Sequence, residues 1–230
     1  MNNIQHVIFD LDNTLWDFNG NSKRILTEIY AQFELEKKGI TDFEKFHTQY
    51  KFRNEYLWQD YALGKVSREE VRLNRFFITL NDFGVNSYKL ASDAADHYIF
   101  HTRNQKDLLP FALETLDYLK TKYQLHIITN GFEEVQYFKL NNTGLMKYFS
   151  SVTTAESAQA LKPDKKIFDH AIQIINTKPE HCLYIGDSPD ADGIGSINAG
   201  MEFIWFNPEN RVNENDFRFV IQLKELVEIL

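Results

Sequence analysis

The sequence has a single cysteine, Cys182, among its 230 residues. One cysteine cannot form a disulfide within the chain, and it cannot supply a cysteine-rich zinc site. No apolar stretch approaches the roughly 20 residues that cross a bilayer, so we expect no membrane span. The opening residues show no basic segment followed by a long apolar one, so we also expect no signal peptide. Together these absences favour a reducing, cytoplasmic environment.

The sequence also lacks an excess of basic residues. It has 25 lysines and arginines against 33 aspartates and glutamates, which gives a formal charge of −8. This balance disfavours a nucleic acid as the main partner, but a small phosphate ligand stays possible where a metal and a lysine reverse the local sign. An apolar fraction of 43% is that of an ordinary globular protein, and the length suits one large domain or two modest ones.

The first part of the chain combines one strand with a block of helices. The apolar run Val7-Ile8-Phe9 predicts a buried strand that ends before Asp10. Residues 21–103 instead carry apolar residues three and four positions apart, which indicates amphipathic helices. Ser67 followed by Glu70 indicates a capping box at the start of one of them. The four predicted helices, which we expect to pack as a bundle, span residues 23–36, 43–61, 68–82 and 88–101.

After residue 108 the pattern alternates between strands and helices. Strands are predicted at 125–129, 151–154, 182–185 and 203–206, and helices at 111–122, 133–142, 165–175, 194–199 and 221–230. Such alternation indicates a doubly wound parallel sheet with helices on both faces, a Rossmann-like α/β fold. The first strand must join this sheet. We therefore expect an α/β core from residues 1–15 and 106–230, with an inserted α-helical domain at 16–105.

Polar side chains follow the predicted strands at the points where the strands end. In a parallel sheet these ends share one edge, where ligands bind. The first strand is followed by an Asp10-x-Asp12-x-Thr14 motif. The other groups are Thr129-Asn130 after the second strand, Lys162 before a helix, and Gly186-Asp187 with Asp192 after the fourth predicted strand. The sequence thus predicts acids, small polar groups and one lysine at a single edge.

Each of these features, taken singly, has an ordinary structural explanation. Asp10-x-Asp12-x-Thr14 suits turns and helix starts, and Lys162 before a proline suits the start of a helix. Cys182 lies in a predicted buried strand and is expected to be a small core residue. The histidines do not lead us to predict a zinc site. The combination of motifs in order carries more information than any member.

In this order, the four motifs resemble those of the haloacid dehalogenase superfamily, and the resemblance covers essentially the whole chain. The inserted helical block is similar to the α-helical cap of that family. Four further segments look closest to the bacterial pyrimidine nucleoside monophosphatases, which are 5′-nucleotidases; they lie at residues 128–132, 142–145, 162–168 and 195–200.

The resemblance implies a Mg²⁺-dependent phosphomonoesterase that acts through an aspartyl-phosphate intermediate. Asp10 would be the nucleophile, and Asp12 would protonate the leaving oxygen and later activate water. The side chains of Asp10 and Asp187 and the carbonyl oxygen of Asp12 would hold Mg²⁺, with Asp192 orienting the ligands from outside.

The phosphate group itself is expected to meet three other residues. The Thr129 hydroxyl and the Asn130 backbone N–H would hold phosphate oxygens, and Lys162 would supply a positive charge. The implied partner is a small phosphorylated substrate, a nucleoside monophosphate in the closest group, bound by a monomer or a homodimer.

Specificity is expected to lie in the helical insertion, which would close over a small substrate. Aromatic side chains there can stack on a base, and Trp16 and Trp58 are the candidate substrate contacts. Core packing is the competing and commoner role for an aromatic residue at helical spacing.

Four alternatives stay open from the sequence. The first is a sugar or organic-acid phosphatase of the same superfamily. The second is a 2-haloacid dehalogenase, which Asp12 disfavours because dehalogenation needs no acid for a leaving oxygen. The third is a phosphosugar mutase, and the fourth is a binding module without catalysis, which the presence of Asp10, Lys162 and Asp187 disfavours.

Overall fold

The computed structural model describes residues 3–230. Met1 and Asn2 lie outside the described residues; the predicted core domain starts at Met1, and the prediction that there is no signal peptide also concerns these two residues. The chain divides into two compact units. The α/β unit comprises the residues up to Phe18 together with Lys106–Leu230, and the helical unit comprises Asn19–Gln105. The sequence places the junctions after residues 15 and 105. None of the helices within residues 3–230 is long and apolar enough to span a membrane.

The α/β unit is built on one six-stranded sheet with the order β3-β2-β1-β4-β5-β6. Every adjacent pair is parallel, which confirms the predicted doubly wound parallel sheet. Chain order reverses direction at β1, because β2 and β3 lie on one side of it and β4 to β6 on the other. The strands are β1 (His6–Phe9), β2 (Gln124–Thr129), β3 (Phe149–Thr154), β4 (Cys182–Gly186), β5 (Glu202–Phe206) and β6 (Phe219–Val220).

The helices fall into two groups along the chain. The first group is α1 (Phe18–Gln32), α2 (Phe43–Ala62), α3 (Arg68–Asp82) and α4 (Tyr88–Thr102). The second group is α5 (Ala112–Leu119), α6 (Glu133–Asn142), α7 (Ala155–Ala158), α8 (Lys165–Ile175), α9 (Gly195–Asn198) and α10 (Leu226–Ile229). Three of the four predicted bundle helices start at the expected residue. The capping box is confirmed, since Ser67 accepts from the Glu70 backbone N–H and the Glu70 carboxylate accepts from that of Ser67.

Two predicted elements differ from the structure. The first bundle helix begins at Phe18 rather than at residue 23, because the polar residues 19–24 break the apolar spacing without breaking the helix. The predicted terminal helix over 221–230 is shorter and less regular in the structure: a 3₁₀ turn at Leu223–Glu225 leads directly into α10, and the unpredicted strand β6 precedes them. A two-residue strand has no readable periodicity, so its pairing with β5 decides its conformation.

Burial of β1 on both faces positions the residue that follows it. Val7 and Phe9 belong to the apolar cluster on one face of the sheet, and Ile8 belongs to the cluster on the other. Phe9 pairs in register with Ile127 of β2 and Ile185 of β4. The first polar side chains after these three strands therefore emerge side by side at the carboxyl edge of the sheet.

The helical unit has its own apolar core. Its buried side chains include aromatic residues of three different helices: Tyr50 of α2, Phe76 of α3 and Tyr98 of α4. The ring centroids of Phe76 lie 5.0 Å from Tyr50 and 5.7 Å from Tyr98. Aromatic contacts at these separations stabilise a helix bundle beyond the area they bury.

Candidate active site

The candidate site lies at the carboxyl ends of β1 and β4, on either side of the point where strand order reverses. The Asp10 backbone N–H donates to the carbonyl oxygen of Ile185 over 2.9 Å, which fixes the start of the loop after β1. Asp187 directly follows the last residue of β4. Ligands of open α/β sheets bind in this crevice, so the fold brings both predicted acids to the expected place.

Lys162 is the cation of the site and is almost completely buried. Its Nζ donates to Asp10 Oδ1 and to Asp192 Oδ1, each over 2.6 Å. It also donates to the Tyr184 hydroxyl over 3.0 Å. Tyr184, from β4, in turn donates to Asp192 over 3.1 Å. The structure thus brings together the predicted Asp10, Lys162 and Asp192, and it adds Tyr184, which the sequence analysis missed.

The site carries more negative than positive charge. Burial raises the pKa of Asp10 to about 7, against the opposing effect of Lys162 and with a further rise from Asp192 and Asp12. Burial, followed by the charges of Asp10 and Asp192, raises the pKa of Asp187 well above its usual value. Burial alone would lower the pKa of Lys162, but Asp10 and Asp192 hold it well above the ordinary lysine value. Lys162 is therefore a fixed positive charge at neutral pH.

The acids of the site fit a hard divalent cation. One carboxylate oxygen from each of Asp10, Asp187 and Asp192 lies within 4.8 Å of the others. The donor set is all oxygen, as Mg²⁺ prefers, and a bound cation would favour the charged carboxylates against the burial that chiefly raises the pKa values of Asp10 and Asp187. Asp192 already accepts from Lys162 through Oδ1 and from the Ser188 backbone N–H through Oδ2 over 3.0 Å. Asp10 and Asp187 are accordingly the better ligands.

Asp12 is held by two side chains of α6. Lys139 Nζ donates to Asp12 Oδ1 over 2.5 Å, and Gln136 Nε2 donates to Oδ2 over 2.9 Å. Gln136 also donates to the Thr129 hydroxyl oxygen over 2.6 Å, and Lys139 lies 4.2 Å from the centroid of the Trp16 ring. Both carboxylate oxygens of Asp12 therefore have a fixed partner.

The sequence analysis missed both residues, although a signal exists. Gln136 and Lys139 lie on the buried face of α6 beside Val135 and Leu140, where an amphipathic helix would carry only apolar residues. A lysine within a buried stripe requires a buried acceptor, because an unpaired ammonium there is strongly disfavoured. The pattern alone does not say which acid supplies it.

Asn130 fastens the loop after β2 to the Lys162 segment. Its amide donates to the Lys162 carbonyl oxygen over 3.0 Å and accepts from the Lys162 backbone N–H over 2.7 Å. Thr129 is buried, and its hydroxyl accepts from the Gly131 backbone N–H over 3.1 Å. The Asn130 side chain thus positions the lysine, which adds to the phosphate contact predicted for its backbone.

Gly186 is required by a close approach. A Cβ at this position would lie 2.3 Å from Asp192 Oδ2. Real Cβ atoms do not approach an oxygen so closely, so only glycine lets Asp192 pack against the end of β4.

The two tryptophans proposed as substrate contacts lie in different environments. Trp16 is 1% exposed and belongs to the apolar cluster of the α/β unit, which favours the core interpretation for this ring. Trp58 is half-buried on α2, with its ring edge-on to Tyr61 at 5.6 Å. A contact of Trp58 with substrate stays a prediction.

One histidine pair has the spacing of metal ligands, although the sequence analysis predicts no zinc site from the histidines. His97 and His101 are four residues apart on α4, and their rings stack at 3.9 Å. Their nitrogens lie 3.7 Å and 3.4 Å, respectively, from Glu28 Oε2. The spacing is readable from the sequence and was overlooked.

Fold and site together define the class, a doubly wound α/β protein with an inserted helical unit and a cluster of acids at the carboxyl edge of its sheet. The sequence profile of the haloacid dehalogenase-like hydrolases matches residues 4–200, and the chain belongs to that family. It is 35% identical over 209 residues to the pyrimidine 5′-nucleotidase PynA of Streptococcus pneumoniae, with 90% of this chain and 85% of that protein covered.

Two further comparisons agree with this family assignment. Identity to the pyrimidine 5′-nucleotidase YjjG of Escherichia coli is 31% over 208 residues, which covers 89% of this chain and 87% of that protein. The solved structure of YfnB from Bacillus subtilis, bound to magnesium, matches with a TM-score of 0.88 and 28% identity, covering 99% of this chain and 98% of that one. The protein is thus an enzyme of this family, a phosphoric monoester hydrolase.

Proposed function

We propose that the protein is a Mg²⁺-dependent pyrimidine nucleoside 5′-monophosphatase that works through an aspartyl-phosphate on Asp10. The observation that carries the proposal is the buried contact of Asp10 with Lys162, beside Asp187 and Asp192. A carboxylate nucleophile needs a nearby positive charge to meet a phosphate dianion, and this edge of the sheet offers one lysine and a cation-binding set of acids.

The proposed reaction has two steps. In the first, a carboxylate oxygen of Asp10 attacks phosphorus, the bond from phosphorus to the ester oxygen breaks, and Asp12 gives a proton to that oxygen. In the second, Asp12 accepts a proton from water, the water oxygen attacks phosphorus, and inorganic phosphate leaves while the Asp10 carboxylate is restored. The Thr129 hydroxyl and the Asn130 backbone N–H hold the phosphoryl oxygens throughout, and Lys162 supplies a positive charge beside them.

Mg²⁺ would be held by the side chains of Asp10 and Asp187 and by the carbonyl oxygen of Asp12, with Asp192 orienting this set. When bound, the ion supplies charge neutralisation for the phosphoryl group. Ser188 and Lys162 keep Asp192 in place.

Asp12 supports phosphate ester hydrolysis over dehalogenation. A halide leaves without a proton, whereas an alkoxide needs one. Gln136 and Lys139 hold the Asp12 carboxylate in a fixed position, which suits the acid and base that the ester reaction needs. A sugar or organic-acid phosphatase uses the same chemistry and stays the second candidate.

The pyrimidine preference rests on the relatives. PynA and YjjG are pyrimidine 5′-nucleotidases, and each is matched over most of both chains. The helical unit is proposed to act as the cap that selects the substrate, since the α/β unit supplies groups suited to the phosphate alone.

The first experiment measures phosphate release from dUMP, dTMP, UMP, deoxyribose 5-phosphate, other sugar phosphates and an aryl phosphate, with Mg²⁺ and with EDTA. We expect metal-dependent release, fastest from the pyrimidine nucleotides, and none from Asp10→Asn. Release from sugar phosphates alone would discard the nucleotide assignment, and activity in Asp10→Asn would discard the nucleophile.

A second experiment tests the cation site by thermal unfolding. Mg²⁺ should raise the melting temperature of the wild type, because it binds the folded state. Asp187→Asn should abolish most of this shift, whereas Asp190→Asn, an exposed acid three residues away, should keep it. Equal shifts in the two variants would contradict the ligand assignment.

A further inference from the structure

Arg75 of α3 is a charged side chain in the interior of the helical unit. The residue is 4% exposed, and a guanidinium stays charged in proteins. Its Nε and Nη2 groups have no hydrogen-bond partner within residues 3–230. A buried ionic group without a counter-charge is strongly disfavoured, so this residue needs an explanation.

The contacts of Arg75 compensate its charge only in part. The guanidinium carbon lies 4.5 Å from the centroid of the Tyr98 ring, a cation–π contact. Nη1 approaches Asn54 Oδ1 of α2 at 3.5 Å, the upper limit for a hydrogen bond. Neither neighbour supplies a negative charge.

Two other arginines of the same helices show what an ordinary arrangement looks like here. Arg53 forms a two-pronged pair with Asp82 at 2.7 and 2.8 Å, and Arg72 pairs with Glu69 and Asp96. Both lie nearer the surface than Arg75. The two more exposed arginines, which water could also solvate, thus each have a carboxylate partner. The buried Arg75 has none and keeps donors without a partner within residues 3–230.

We propose that Arg75, supported by Asn54 and Tyr98, forms a ligand-binding site in the helical unit for the hydrogen-bond acceptors of a pyrimidine base. This inference rests on the proposed function and deepens it. Arginine has five N–H donors and no acceptor, so its ligand must present acceptors. The two unused donors, Nε–H and Nη2–H, point in the same direction and can both donate to one carbonyl oxygen, and every pyrimidine base carries such an acceptor in its O2 carbonyl.

The kinetic test compares two substrates that differ only in the base. Wild type and Arg75→Gln are assayed with dUMP and with deoxyribose 5-phosphate, which keeps the sugar and the phosphate. We expect kcat/KM for dUMP to fall by about ten- to a hundredfold, the range for charge-assisted hydrogen bonds, and that for deoxyribose 5-phosphate to change less than about twofold. Equal losses on both substrates, or no loss on dUMP, would overturn the proposal.

Matched variants separate binding from folding. Arg72→Gln, one turn earlier on α3, should leave the ratio of the two kcat/KM values unchanged. Asn54→Ala should shift the ratio in the same direction as Arg75→Gln but by less, since it removes a support. Unfolding curves show whether each variant is folded, and the ratio is insensitive to the active fraction because both substrates are measured on one preparation.

A binding measurement makes the inference independent of turnover. Calorimetric titration of dUMP into Asp10→Asn and into Asp10→Asn with Arg75→Gln, both with Mg²⁺, should show at least about tenfold weaker binding in the double variant. Equal affinities would refute the base-binding site even if the enzyme is a nucleotidase. If the wild type hydrolyses no nucleotide but the double variant still binds dUMP more weakly, the proposed function is refuted and the base-binding site remains supported.

Discussion

Lys139 donates to Asp12 Oδ1 over 2.5 Å and joins two segments 127 residues apart in the chain. The lysine side chain is 4% exposed, whereas the aspartate side chain is 26% exposed. Because the lysine is buried and the carboxylate is partly exposed, the ion pair holds Asp12 from the protein interior and leaves its other side open. The proposed proton donor is thus oriented by α6 and not by its own loop alone.

Replacement of that lysine should impair the proton transfer specifically. Lys139→Met leaves Asp12 with one fixed oxygen. We expect kcat/KM for dUMP, which reports the first step and the departure of a poor alkoxide leaving group, to fall by about 10- to 100-fold, at or below the lower end of the roughly 100- to 10,000-fold that general acid–base catalysis contributes, because Asp12 itself remains. An aryl phosphate, whose leaving group needs no proton, should lose less than about threefold. Lys139→Arg should recover part of the loss, and Lys165→Met on the surface is the control. Equal losses on both substrates would assign Lys139 a structural role only.

The close packing of Gly186 against Asp192 predicts a costly substitution. Gly186→Ala places a methyl group against Asp192 Oδ2, which has no space to move because Asp192 is 1% exposed. We expect a loss of about 1–3 kcal/mol in the free energy of unfolding and at least a tenfold loss in kcat. Combining it with Asp192→Gly, which also removes the Asp192 Cβ that would lie 2.8 Å from the new methyl group, should relieve the contact. The unfolding penalty of the double variant should therefore be smaller than the sum of the two. An additive result would rule out the clash.

A buried histidine pair should make stability depend on pH. His6 Nδ1 and His126 Nε2 lie 3.1 Å apart, and His126 Nδ1 lies 2.8 Å from the Ser151 hydroxyl. Burial, together with the charge of His6, lowers the pKa of His126 to about 4, and burial, with a smaller effect of His181, lowers that of His6. The unfolded state therefore takes up protons below about pH 6.5, whereas the folded state resists until about pH 4.

Stability contributed by His126 should consequently be complete above pH 6.5 and lost as the pH falls to 4. Its full value is on the order of 3 kcal/mol, from the difference between the two pKa values. Urea unfolding across this range should show a shallower pH dependence for His126→Gln than for the wild type. His170→Gln, a half-buried histidine on α8, should keep the wild-type slope. The same slope in His126→Gln would contradict the low pKa.

Trp58 offers a separate test of the proposed cap. If its ring stacks on the base, Trp58→Ala should raise KM for dUMP by about tenfold, as expected for one stacked base, and leave deoxyribose 5-phosphate unaffected. Phe52→Ala removes a more exposed ring, at 57% exposure, from the same helix and should change neither value. A change in stability without a change in KM would mean that the Trp58 ring serves in packing and does not contact the substrate.

Much of the α/β architecture could be predicted because it depends on local patterns. Short apolar runs such as Val7-Ile8-Phe9 mark buried strands, and the alternation with helices requires parallel connections. The same logic placed Asp10, Thr129 and Asp187 at one edge, since the carboxyl ends of parallel strands coincide. The sequence did not predict β6, because a two-residue strand that is held by its pairing with β5 carries no periodic signal.

The amino-acid sequence was sufficient to determine the fold class, through its apolar pattern, and the family and the groups that follow each strand, through the order of its polar motifs. Tertiary structure alone decided which side chain meets which: Lys139 with Asp12, Tyr184 with Lys162, and Arg75 with no acid at all within the described residues. Strand ends are predictable because backbone geometry fixes them. Contacts between side chains of distant segments depend on helix rotation and packing, which no local pattern encodes.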